Sequence, residues 1–292
     1  MEKTLHKAYV VFLAGVVLLS VVIIGVRGAG YYFTPELKRP FHPQYDTLKP
    51  TGSQGHGFGI VGTLMITFGV VLYSSRKRAR AMANMGKIKY FLEFHIFLCV
   101  LGPILVVYHT TFKFGGLVAV SFWSMAAVVL SGVIGRYFYI QIPRGIYGNE
   151  LSVAELQKEN TALADALKSQ YGLSTDFLTW IDAIAVPQAP AARMSLMQVI
   201  NFFIVNDVTR RSKLRSIFAR LEERGMRAPV IRRLKHVAAR RVVLSRRIAF
   251  LQQFRQIFHY WHVIHLPFSI VMFLILFIHV GVAVAFGYTW IW

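Results

Sequence analysis

Five runs of about twenty residues almost without charge constrain this chain more than any other feature, because that is the length a helix needs to cross a hydrocarbon core roughly 30 Å thick. They are Ala8–Val26, Gly57–Tyr73, Tyr90–His109, Leu117–Ile140 and Tyr260–Phe286. A backbone in lipid must satisfy its own hydrogen bonds. The expected fold is therefore an all-α membrane protein, five transmembrane helices forming a bundle. Hydrophobic residues make up 55% of the 292 residues and charged ones 16%, which excludes a disordered chain and an ordinary nucleic-acid-binding domain. The first run has a bland alternative, a signal peptide cleaved near Gly28-Ala29-Gly30, but nineteen apolar residues exceed a normal signal core and a retained helix is expected.

Charge then sets the topology. The chain has 33 Lys and Arg against 13 Asp and Glu, and basic loops stay cytoplasmic. The loop holding Arg76, Lys77, Arg78, Arg80, Lys87 and Lys89 has no acid, and residues 143–258 carry nineteen basic and nine acidic residues. Both are expected inside. By alternation the amino terminus is also inside, while residues 30–56, the turn at Lys113 and the carboxyl-terminal Tyr288-Thr289-Trp290-Ile291-Trp292 face outward. The expected location is a bacterial inner membrane. The chain then divides into helices 1–4 (residues 1–141), a basic cytoplasmic insert (142–258), and helix 5 with its outward tail (259–292).

The insert reads as helical. Ser152 and Glu155 form a capping box opening a helix that ends near Gly172, with Ser174 or Thr175 starting a shorter one. Beyond Pro187 and Pro190, Met194–Arg224 and Val230–Phe258 show apolar residues at three- and four-residue steps, with Gly225 and Pro229 between them. That pattern predicts a helical hairpin whose second arm continues into the fifth span. From Arg210 to Arg255 fifteen basic residues face two acids. Such a face suits either anionic lipid headgroups or a docked partner.

Ionisable residues inside spans are costly, so the intramembrane histidines carry the functional signal. His95 and His109 lie fourteen residues apart on the third span, and His265 and His279 fourteen apart on the fifth. Fourteen residues rise about 21 Å and return to within roughly 40° of the starting direction. Both spans run the same way, so His95 is expected level with His265, and His109 with His279. Facing imidazoles on two helices are what a low-spin haem iron takes as axial ligands. Gly102, midway between His95 and His109, leaves that face of the helix bare between the two levels, with Met272 at the matching midpoint.

Two parallel helices, each carrying histidine, thirteen residues and histidine, resemble the core of di-haem b-type membrane cytochromes, including respiratory cytochrome b subunits and ferric-reductase-like transmembrane domains. The resemblance covers Gly57–Ile140 and Tyr260–Phe286 and leaves the insert unmatched. It implies two noncovalent haem b groups with His95, His109, His265 and His279 as axial ligands. A single cysteine, Cys99, excludes c-type attachment and a four-cysteine cluster. It further implies a subunit that moves electrons between quinone or a cytoplasmic-side partner and a redox protein on the outer side.

Several residues have two readings. His262, one turn before His265, is about 100° out of phase with His279 unless Pro267 bends the span, and His259 suits the interface. His56, at the mouth of the second span, is a substitute outer ligand, a quinol-pocket residue, or an interfacial histidine. Arg136 meets a haem propionate or snorkels, and Lys113 meets an outer propionate or is an ordinary turn lysine. Glu93 serves proton uptake or pairs with Lys89. Gly57, Gly59 and Gly62 mimic a nucleotide fingerprint but follow no strand; Gly55, Gly62 and Gly69, seven residues apart, fit close helix or haem packing. Competing functions are a ferric-reductase-like haem subunit without a quinone site, a histidine-lined proton or metal-ion transporter, and a membrane scaffold.

Overall fold

The computed structural model describes residues 2–82, 84–115, 119–143, 151–173, 175–185, 195–223 and 228–288. Among them there is no strand. The helices are α1 (Glu2–Tyr32), α2 (Tyr45–Leu48), α3 (Ser53–Arg78), α4 (Ile88–His109), α5 (Ala119–Gln141), α6 (Val153–Ser169), α7 (Thr175–Ala185), α8 (Leu196–Glu223), α9 (Ala228–Ala249) and α10 (Leu251–Ala285). Five helical stretches are long and apolar enough to cross a membrane: Thr4–Tyr32, Tyr45–Arg78, Ile88–His109, Ala119–Gln141 and Leu251–Ala285. These are the five expected spans. Most begin or end beyond the apolar runs because Lys, Arg and Gln form helix as readily as Leu does, and hydropathy registers only the stretch between them. The expected start at Leu117 and the tail from Thr289 lie outside the described residues.

The chain forms two compact units, one of Met1–Ile134 with Val263–Trp292 and one of Gly135–His262. In the first, α3 and α4 are the most intimately paired helices, and small residues explain why. A Cβ on Gly62 would lie 2.7 Å from the Gly102 carbonyl oxygen, and one on Gly102 would lie 2.7 Å from that of Gly62. The backbones touch there, as small residues permit in a membrane. α1 packs against α4, with the Tyr108 hydroxyl donating to the Val21 carbonyl at 3.2 Å. Elsewhere α1 turns Val11, Phe12, Leu18 and Leu19 outward, and α10 does the same with Ile270, Leu274, Phe277 and Ile278. Exposed apolar side chains of this density belong in lipid.

The segment joining α1 to α3 is tied down at the His109 end of α4. Arg39 donates to the carbonyls of Thr34 (2.9 Å), Tyr32 (3.0 Å) and Thr111 (2.7 Å). Thr111 and Phe112 both have positive φ, 52° and 61°, which is unfavourable for a β-branched and an aromatic residue. The guanidinium therefore holds a strained turn two residues past His109.

In the second unit α9 is central. Leu234, Ala238 and Val242 are fully buried with Ile181 of α7, Phe218 of α8 and Leu167 of α6. A second cluster joins Phe203 of α8 to Phe250, Phe254 and Leu156, and includes Phe138 from the end of α5. The capping box is present, Ser152 N donating to Glu155 Oε2 (2.8 Å) and Glu155 N to Ser152 Oγ (3.2 Å). The hairpin's second arm is divided: α9 ends at Ala249 and α10 begins at Leu251, although backbone bonds bridge Phe250 on both sides. Several cations of the basic run face inward. Arg241 grips Asp182 through both guanidinium ends (3.2 and 2.8 Å) and donates to the Asn160 carbonyl (2.9 Å). Arg246, 2% exposed, lies over the Phe203 ring at 4.6 Å.

Candidate functional site

The α3–α4 register places three residues of one helix against three of the other at seven-residue steps. His109 meets Gly55, Gly102 meets Gly62, and His95 meets Gly69. His109 Nδ1 lies 2.9 Å from the Gly55 carbonyl oxygen and His95 Nδ1 3.0 Å from that of Gly69. A carbonyl only accepts, so each Nδ1 carries the proton and each Nε2 keeps a lone pair. A Cβ on Gly59 would fall 2.9 Å from the His109 ring, which explains the glycine one turn along. Tyr73 stacks on the His95 ring at 5.2 Å, and Cys99 Sγ is 3.6 Å from His95 Nδ1.

α5 performs the same service for α10. Ser131 Oγ donates to the Val128 carbonyl (3.0 Å) and lies 2.5 Å from His265 Nδ1, which fixes the orientation of that ring. Two of the four expected ligands, His95 and His109, present an oriented imidazole with the Nε2 lone pair turned from the bonded carbonyl, the arrangement seen where a second partner fixes a metal-binding histidine. His262 sits instead among Phe258 and Trp261, at ring distances of 6.3 and 5.6 Å. α10 continues through Pro267 without interruption.

At the other end of α4, His56 and His109 approach with ring centroids 6.2 Å apart, edge to face. His279 lies within electrostatic reach of both. The contact that has a geometry at this end is His56 with His109. Midway along the bundle Ile66, Met125 and Met272 form a closed apolar cluster. Gly102 does not leave open space there: Ile66 Cγ1 and the Gly62 carbonyl occupy its face.

The remaining expected residues have other neighbours. Lys113 Nζ pairs with Glu36 Oε1 at 2.7 Å and holds that carboxyl below its usual range, by hydrogen bond first and charge second. Arg136 lies over the Tyr139 ring, 5.5 Å from its centroid. Glu93, buried, is 3.9 Å from Lys89 Nζ and 3.5 Å from His6 Nε2. Among the described residues no three or more His, Cys, Asp or Glu side chains converge as a chelating group; a bis-histidine haem asks only two of the protein. Sequence reading missed Ser131 and the carbonyls of Gly55 and Gly69. The seven-residue spacing of Gly55, Gly62 and Gly69 marked their face of α3 but not its partner.

The chain matches no protein-family model, no curated protein and no solved structure. What the site does therefore rests on its own geometry.

Proposed function

We propose that this protein is the membrane subunit of an oxidoreductase complex, holding two noncovalent b-type haems through His95, His265, His109 and His279 and passing electrons from one membrane face to the other. One observation carries the proposal: His95 and His109, fourteen residues apart on α4, each commit Nδ1–H to a backbone carbonyl and keep Nε2 for a ligand. Imidazoles held in one tautomer on rigid helices, fourteen residues apart, suit two axial-ligand sites better than they suit solvent or packing. Each haem supplies a one-electron iron couple when bound. The chain's own residues orient the imidazoles, through Gly69, Gly55 and Ser131, and exclude water between the two levels, through Ile66, Met125 and Met272.

The apolar midpoint also weighs against the transporter. A proton or metal-ion path needs polar groups along its length, and here the histidine levels are separated by isoleucine and methionine. The His56–His109 pair favours that alternative at one end only. No flavin, nicotinamide or iron–sulfur motif is present in the sequence, so the oxidation or reduction of a soluble substrate falls to a partner, and quinone is the natural mobile carrier within the membrane.

The decisive experiment is a reduced-minus-oxidised absorption spectrum of the purified protein with acid-acetone extraction and a haem-to-protein ratio. Two extractable haems per chain are expected. A colourless, folded preparation, or pigment that resists extraction, rejects the proposal.

A further inference from the structure

A cleft of about 650 Å³ opens between α1 and α3, at the His109 end of the first unit. α1 contributes Ile23, Ile24 and Arg27, α3 contributes Gln54, Phe58 and Val61, and Leu105 of α4 joins the lining. Ile23 and Val61, on opposite walls, are 42% and 43% exposed. The apolar part is thus accessible rather than closed by side chains.

Arg27 sets the chemistry. It belongs to the Thr4–Tyr32 span, five residues or about 7.5 Å of rise before its end, and has no acidic partner among the described residues. Arg27 follows directly on the apolar run Ala8–Val26 and is exposed, which sets its guanidinium at the level of lipid headgroups. Gln44 and Gln54 share the polar rim with it, and Gln44 Nε2 donates to the Arg27 carbonyl at 3.2 Å. One unmatched cation and two amides above apolar walls complement a phosphodiester head with hydrocarbon chains below it.

We propose that this cleft binds one anionic phospholipid from the leaflet at the His109 end, its phosphate on Arg27 and its chains along Ile23, Val61 and Leu105. The guanidinium bonds phosphate oxygens as a fork, and the net negative charge of the lipid distinguishes it from a zwitterionic one. The site lies between α1 and α3, each of which also packs on α2 and α4. It does not depend on the haem proposal.

The test reads bound lipid, not electron transfer. The intact protein is reconstituted with equal phosphatidylglycerol and phosphatidylcholine, washed in mild detergent, and its retained lipid and quinone are counted by mass spectrometry. The wild type is expected to keep one phosphatidylglycerol per chain. Arg27→Gln should reduce the preference over phosphatidylcholine by about fivefold. Val61→Trp and Ile23→Trp, filling the cleft from either wall, should abolish retention, and having two such variants covers the failure of one to fold. An unchanged preference in Arg27→Gln overturns the proposal. So does retention of a quinone in place of phospholipid that Val61→Trp removes, which would make the cleft a quinone site.

Discussion

A neutral imidazole has one proton to place, and where it goes decides which nitrogen can bind iron. At His95 and His109 a backbone carbonyl accepts a hydrogen bond from Nδ1–H, and at His265 the Ser131 hydroxyl lies beside Nδ1. His265→Ala is therefore expected to lose one spectral component and about half the haem, while His262→Ala keeps both; absorption spectra of the two variants decide the inner ligand. Loss of haem in His262→Ala alone would move the ligand one turn and rest the site on a helix bend the structure does not show. Ser131→Ala removes only the hydroxyl beside His265 Nδ1. A hydrogen-bond partner that orients a metal-binding imidazole changes metal affinity by roughly tenfold or more, so weaker haem retention with an unchanged helical spectrum is expected. The fourteen-residue spacing was plain in the sequence because histidines are rare in apolar runs. Two of the acceptors were not, since a backbone carbonyl has no letter of its own.

At the scale of helices, α3 and α4 are joined by two ladders with one period. Glycine at 55, 62 and 69 faces histidine, glycine and histidine at 109, 102 and 95, and the contact at the middle is backbone to backbone. Gly102→Leu puts a branched side chain where the Gly62 carbonyl and Ile66 lie, so separation of the pair is expected, at about 1–3 kcal/mol for overpacking and more where backbone must move. Thermal unfolding in detergent measures it, and a melting temperature equal to wild type would show that the helices do not meet there. Sequence reading assigned these glycines to packing but did not pair them, because a seven-residue period fixes a face and not its partner. It also read Arg210–Arg255 as a basic face suited to lipid headgroups or a docked partner, and Arg232, Arg233, Lys235 and Arg240 are exposed as that requires. Arg241 and Arg246 are buried because each finds a counter-group, Asp182 or the Phe203 ring, on a helix remote in sequence. Local motifs were easier to read. The capping box of α6 was visible in Ser152-x-x-Glu155, and an equivalent one, Ser195 with Gln198 at the start of α8, went unremarked although its spacing is the same. Bonds from the Ser152 backbone and hydroxyl hold the Glu155 carboxyl below its usual range. A lowered folded-state pKa contributes stability above the unfolded value, near 4.3, that is lost as pH falls through the folded one. Hydrogen exchange at the Ser152 amide should accelerate as pH falls below that unfolded value, beyond the intrinsic pH trend, and Glu155→Gln should abolish the excess.

On the scale of the whole molecule, charge decides orientation. The rule that basic loops stay cytoplasmic predicts residues 76–89 and 143–258 on one side and residues 33–50 on the other. In a Cys99→Ala background, Lys235→Cys and Lys87→Cys should label from the cytoplasmic side of inverted vesicles and Lys38→Cys only from the opposite side. Labelling of residue 235 from outside would reverse the compartments. If the orientation holds, His95 marks the inner level and His109 the outer, so a redox partner docking on the insert should reduce the inner haem first. Removing that haem through His265→Ala should then slow partner-driven reduction of the outer haem by far more than it slows chemical reduction, because the apolar layer of Ile66, Met125 and Met272 offers no other redox group across the gap between the levels. Stopped-flow spectra that follow the two components separately would show the order. If electrons from the docked partner reach the outer level at the wild-type rate without the inner one, the two histidine levels serve separate partners and do not form one path across the membrane.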